Sequence, residues 1–107
     1  MVVNANMSYD QNPLKGTMQS LADVTLTATT APGTALSATS IPCKAVIVEA
    51  LHGNAGLVRV ADKTNVSQSR GDELGPGETI VIPVTDVSTL GGVSTNGTDK
   101  VGVDYLV

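Results

Sequence analysis

The chain has no Trp and no Phe, and its only aromatic side chains are Tyr9 and Tyr105. An aromatic ring buries roughly 150–250 Å² when it enters a core, and a chain of 107 residues hides less of its surface than a larger domain does. A core without rings must come from Val, Ile, Leu and Ala, and further burial must come from other copies or from a larger surface. Cysteine is almost missing as well. Cys43 stands alone, which excludes an intrachain disulfide framework and fits assembly in a reducing cytoplasm. With His52 the single histidine, His-rich zinc sites and cupin-type clusters are excluded, because both draw several ligands from His or Cys.

Other absences narrow the class further. The six Lys and Arg residues are scattered singly and the net charge is −4. Nucleic acid is therefore not an expected partner, since phosphate neutralisation needs clustered basic side chains. No apolar run approaches the roughly 20 residues of a membrane helix, so no membrane is expected. The start, Met1 to Met7, carries neither a basic segment nor a sustained apolar one, so no signal peptide is expected. Nothing in the chain calls for a helix of useful length.

What is present is alternation. Val24, Leu26 and Ala28 alternate with Thr25, Thr27 and Thr29, the period of a half-buried strand. A second short strand is expected within 34–40. Ala45 to Leu51 is the strongest run, with Val46, Val48 and Ala50 on one face and Ala45 and Ile47 also apolar. That strand is expected to be central or covered on both faces. Leu57 to Ala61 follows the turn His52-Gly53-Asn54-Ala55-Gly56, and the two runs read as a hairpin. Pro76-Gly77 fits a type II turn. Ile80, Ile82 and Val84 share a face, and Pro83, which lacks an N–H, places that strand at an edge. Val87 and Leu90 form a short strand before Gly91-Gly92, Asn96-Gly97 suits a type I′ turn, and Val101 to Val107 is a last strand. Seven or eight short strands with regular turn signals predict an all-β fold, a small antiparallel β-sandwich or jelly-roll-like barrel.

The first residues are different: Asn, Asp, Gln, Pro and Gly interrupt every apolar stretch. Residues 1–22 are expected to form an extended N-terminal arm and 23–107 the β-domain. Val3, Met7, Tyr9, Pro13 and Leu14 are the arm's candidate anchors for a partner, because they are more apolar than a solvating tail requires. Ala45, Ile47 and Leu51 are candidate subunit-interface residues, on the face of the central strand that needs cover.

Catalysis is poorly provided for, and no enzyme activity, catalytic residue, metal or cofactor is expected. Cys43 and His52 flank one strand, which separates them by about 25 Å at roughly 3.3 Å per residue, too far for a dyad. The acids Asp62, Asp72, Glu73, Glu78, Asp86, Asp99 and Asp104 read as turn carboxylates. No regularly spaced calcium loop is present. A pair of carboxylates for glycoside hydrolysis stays open on sequence alone, although two Tyr are few for stacking sugars. Arg70-Gly71-Asp72 spells the tripeptide of integrin ligands, but lies among turn formers and reads first as a surface turn.

Ser40-Ile-Pro-Cys-Lys-Ala-Val-Ile-Val-Glu-Ala50, Asn54-Ala-Gly-Leu-Val-Arg-Val60, Leu74-Gly-Pro-Gly-Glu-Thr-Ile-Val-Ile-Pro83 and Val101-Gly-Val-Asp-Tyr-Leu106 resemble segments of small virion structural proteins of tailed bacteriophages. These are the capsid decoration (cement) proteins and related head-fibre and spike modules. The resemblance runs from about Asp23 to the C-terminus and consists of strand-and-turn patterns. It implies a compact β-domain, commonly a homotrimer, that binds the major capsid protein on the outer surface of an assembled capsid and stiffens it. Such a protein is made in the host cytoplasm and carries no catalytic residue. A fibre or spike subunit contacting the host is the alternative within phages, and a carbohydrate-active or metal-dependent β-sandwich enzyme the alternative from another class.

Overall fold

A computed structural model describes residues 16–107. Its strands are β1 (Met18–Ser20), β2 (Val24–Thr25), β3 (Thr34–Ala35), β4 (Ala45–Ala50), β5 (Val58–Asp62), β6 (Asp72–Leu74), β7 (Thr79–Ile82), β8 (Leu90–Ser94) and β9 (Lys100–Leu106). They form two antiparallel sheets. One has the order β1-β9-β4-β7, with β2 also pairing β9, and the other the order β3-β8-β5-β6. The fold is the small all-β sandwich that the alternation predicts.

Alternation along β4 builds the core. Val46, Val48 and Ala50 are fully enclosed, and they stand opposite Tyr105, Val103 and Val101 of β9. On the other side Val46 and Val48 face Ile82 and Ile80 of β7. The second sheet contributes Val58, Val60, Leu74 and Leu90, and Leu26, Leu36 and Val87 complete the cluster. Each fully buried Val or Leu is worth about 1.5–3 kcal/mol over its exposed state, so many aliphatic side chains do here what a few rings do elsewhere.

β4 and β5 are not a hairpin, contrary to the sequence expectation. β4 lies between β9 and β7, while β5 lies between β8 and β6 in the other sheet. β9 has seven residues and makes six cross-strand pairs with β4, so it fills the edge that β5 would need. The turn 52–56 instead carries the chain from one sheet to the other. Asp99 holds it there: Oδ1 accepts from Ala55 N and Oδ2 from Gly56 N, each at 3.0 Å. Asn54 adds a reciprocal pair with Lys100, donating Nδ2–H to its carbonyl and accepting from its N–H, both at 2.9 Å.

Gly91 and Gly92 do not end a strand but lie inside β8, whose five residues are all buried. A Cβ on Gly91 would come within 2.9 Å of Lys63 Cα, and one on Gly92 within 2.9 Å of Leu26 Cδ1. The strand needs glycine because other chain segments press on both of its faces. Val87 belongs to a 3-10 turn, Val87–Thr89, not to a strand. In the 34–40 region only Thr34 and Ala35 pair.

One turn reading and one edge-strand reading hold, and a second turn reading changes. Gly77 has φ +84°, and Glu78 N donates to Gly75 O at 3.0 Å, a type II turn with Pro76 and Gly77 at its centre. β7 is an edge strand that stops one residue before Pro83, as a missing N–H requires. Gly97 has a positive φ, but the strands on either side of Asn96-Gly97 belong to different sheets, so the turn is a sheet-to-sheet corner and not a hairpin.

The domain starts earlier than expected. Met18, Gln19 and Ser20 pair with Leu106, Tyr105 and Asp104, which moves the boundary from 22 to before residue 17. Between β1 and β2 the register against β9 slips by one residue. That bulge, at Leu21 to Asp23, is where the sequence alternation is interrupted.

Candidate assembly surface

Period 2 on β4 assigns Ala45, Ile47 and Glu49 to the face of the first sheet turned away from the core. The register then lays out that outer face in rows. Met18, Leu106 and Ala45 form one, and Ser20, Asp104, Ile47 and Val81 the next. Gly102, Glu49 and Thr79 form the third. Leu51 continues over Gly102, where a Cβ would meet its Cδ2 at 3.7 Å. An open depression of about 390 Å³ lies over the second and third rows, bordered by Asp23, Glu49 and Asp104. No group of three or more His, Cys, Asp or Glu among the described residues is set to hold a metal ion.

Of the three candidate interface residues, Ile47 and Leu51 are half-buried and face outward, whereas Ala45 is not available. Its side chain is fully enclosed within the chain, so it offers nothing to a second copy. Met18 and Val81, at the two borders of the same face, are more exposed, at 52% and 41%. Met18 falls within the residues 1–22 expected to form the arm, and Val81 falls between Ile80 and Ile82, off the face those two share with Val84. The signal for Val81 was the run Ile80-Val81-Ile82, apolar on both faces. Val3, Met7, Tyr9, Pro13 and Leu14 lie outside the described residues.

The chemistry-bearing side chains have local work. Cys43 Sγ–H donates to Val84 O at 3.3 Å, and burial, with the nearby Asp86 charge, raises its thiol pKa. His52 packs on the Pro76-Gly77 turn, where a Cβ on Gly77 would fall 2.6 Å from its Cε1. The two stand beyond opposite ends of β4, so they form no dyad. Asp86 braces a corner between the 40–43 segment and the 3-10 turn. Its carboxylate accepts from Ser40 Oγ, from Ile41 N at 3.1 Å and from Ser88 N and Oγ at 2.9 and 2.8 Å. Those hydrogen bonds hold it well below the usual carboxylate range, Ser40 contributing most.

Arg70-Gly71-Asp72 also has a structural account. Ser67 and Arg70 exchange backbone hydrogen bonds at 3.0 and 3.2 Å, which closes a tight turn. Gly71 then takes φ +126° where a Cβ would meet Val60 O at 3.1 Å and Val66 Cγ2 at 3.2 Å. Val66, fully buried, is held between Gly71 and Gly33, a small satellite cluster beside the main core. The glycine of the tripeptide is thus a packing requirement.

Asp86, Asp99 and Asn54 brace the sandwich's own corners, Asp23, Glu49 and Asp104 border the outer depression, and large apolar side chains remain exposed. No family model, no curated protein and no solved structure matches the chain.

Proposed function

We propose that this chain is a non-enzymatic virion structural protein, a capsid decoration protein that binds the assembled phage head and stabilises it. The observation that carries this reading is the division of labour in the domain. Asp86, Asp99 and Asn54 are spent on bracing loops, while Met18, Leu57, Val81 and Val107 stay exposed. Polar side chains committed to bracing and apolar ones left outside suit association with other protein better than turnover of a small substrate. The strand-and-turn resemblance points the same way.

The partner in this reading is the major capsid protein, on the outer surface of the head, with the domain itself a homotrimer. Binding that favours the intact shell over dissociated subunits adds to particle stability by mass action. Many copies act together, so modest affinity per copy suffices. Attachment is assigned to residues 1–15, with Val3, Met7, Tyr9, Pro13 and Leu14 as contacts. Single, scattered basic residues and a net charge of −4 favour neither nucleic acid nor an anionic membrane surface.

The test is binding of the purified chain to empty capsids, with and without residues 1–15. The cut spares β1, which a deletion through residue 22 would destroy. Loss of binding by a truncated domain that still melts cooperatively is expected. Undiminished binding would move the contact to the domain's loops, and no binding by the full chain would defeat the decoration reading. Copy number separates the fibre or spike alternative: hundreds per particle for decoration, a handful for a fibre.

A further inference from the structure

We propose that copies of this chain join head to tail through their first sheets, β7 of one copy pairing with β1 of the next. This rests on the reading of the chain as an assembling structural protein and names the contact that would hold the assembly together.

The backbone defines two complementary edges. Ala50 N donates to Glu78 O at 2.9 Å, in the register that also pairs Val48 with Ile80 and Val46 with Ile82. Antiparallel alternation then turns the N–H and C=O groups of Ile80 and Ile82 toward β4, and those of Thr79 and Val81 outward. Pro83 occupies the next outward position, where its missing N–H costs the sheet nothing. On the opposite edge Thr17 and Val107 exchange backbone bonds at 3.1 and 3.0 Å, and Leu21 N donates to Val103 O at 2.9 Å. The same alternation leaves Met18 and Ser20 facing outward from β1. Among the described residues nothing pairs with either outward set.

Direction also fits. In the order β1-β9-β4-β7 every neighbour is antiparallel, so β7 runs opposite to β1. A second copy turned about an axis along the strands therefore presents its β1 antiparallel to β7, and the ladder continues without reversal. A head-to-tail contact of this kind closes into a ring or runs on as a filament, and the trimer reading corresponds to a ring of three.

Side chains favour the same contact. Met18 and Val81 both project from the outer face, and they are two of the four exposed large hydrophobic residues among those described. Pairing the edges makes them neighbours and joins the apolar pair Ile47–Val81 to Met18 of the next copy. Neither Met18–Ser20 nor Thr79–Ile82 carries a charge. The second sheet is guarded differently: β3 is two residues long, and β6 carries Asp72 and Glu73, the latter 3.2 Å from Arg59. Short or charged strands are how edges avoid pairing. The edges of the first sheet carry no charge, although β1 is only three residues long and Pro83 follows β7.

Light scattering on the full-length chain at micromolar concentration tests the proposal without any capsid. The wild type should be an oligomer, and Met18→Lys and Val81→Glu should each weaken association about tenfold or more, equivalent to about 1.4 kcal/mol. The double variant Met18→Lys/Val81→Glu should recover it, because every junction then places Lys against Glu. Val81→Pro, which removes an outward N–H that the subunit does not use, should also dissociate the oligomer while circular dichroism stays unchanged. A monomeric wild type overturns the proposal. So does a double variant no better than the singles, or a Val81 effect without a Met18 effect, which would mean that β7 pairs with itself. An oligomer that ignores capsids would defeat the capsid reading alone.

Discussion

Asp99 spans the corner of the sandwich to grip Gly56, its Oδ2 accepting the glycine N–H at 3.0 Å while Oδ1 takes the neighbouring Ala55 N–H. Asp99 is almost fully buried, so its removal takes the shared acceptor away from two peptide donors of a turn that is exposed at Ala55 and half-buried at Gly56. Asp99→Ala should cost about 1–3 kcal/mol, readable as a drop in urea midpoint at constant m. Asp99→Asn keeps one acceptor oxygen and should fall between the two. An unchanged midpoint for the alanine variant would show that water replaces the carboxylate.

Asp86 predicts an acid-side stability loss. Its pKa is lower folded than unfolded, so its contribution is fully present above the unfolded carboxylate value of about 3.9. It is lost as pH falls through that value toward the folded one. Unfolding free energy measured from neutral pH down to strongly acid pH should fall less steeply in Asp86→Asn than in the wild type. Parallel curves would remove Asp86 from the acid response.

Gly92→Ala should destabilise by about 1–3 kcal/mol through overpacking, because the added methyl lands 2.9 Å from Leu26 Cδ1. Since the obstructing atom is a side-chain end, Leu26→Ala in the same chain should give a non-additive double-mutant cycle. Additive effects would locate the strain in the backbone instead.

The Cys43 thiol, half-buried and with its pKa raised, should react with a neutral disulfide reagent more slowly at pH 7 than an unfolded control, because the thiolate is the nucleophile. Equal rates in the folded and urea-unfolded chains would mean that burial does not protect it.

The alternating runs at β4 and β9 were legible, and so was the core face of β4, because burial on one side writes itself into the residue type, whereas the alternating run 24–29 is a strand only at Val24–Thr25. Pairing was not legible. The apolar runs of β4 and β5 are adjacent in sequence and similar in composition, and nothing in either says that β9, some fifty residues away, outcompetes β5 for the same edge. Gly91-Gly92 misled because glycine marks both chain breaks and close approaches. Only the positions of Lys63 and Leu26 decide between them. Of the assembly surface, Ile47 and Leu51 were visible as surplus apolar residues on a central strand. Ala45 looked the same in sequence and proved enclosed, and Met18 was hidden by the irregular residues before it.

The central position of β9 has a consequence for synthesis. It pairs with β1, β2 and β4, all of which precede it in the chain, so none of them gains its main partner until β9 has been translated. The second sheet is different: β5, β6 and β8 can meet before β9 exists. A chain that ends before β9 should therefore hold the second sheet and a strongly apolar β4 paired on one edge only, by β7, the state in which non-local β proteins are slow and prone to aggregate. A released chain truncated just before Lys100 should be sensitive to protease at β1 and β4 and bound by chaperones, and the chain that includes β9 should be neither.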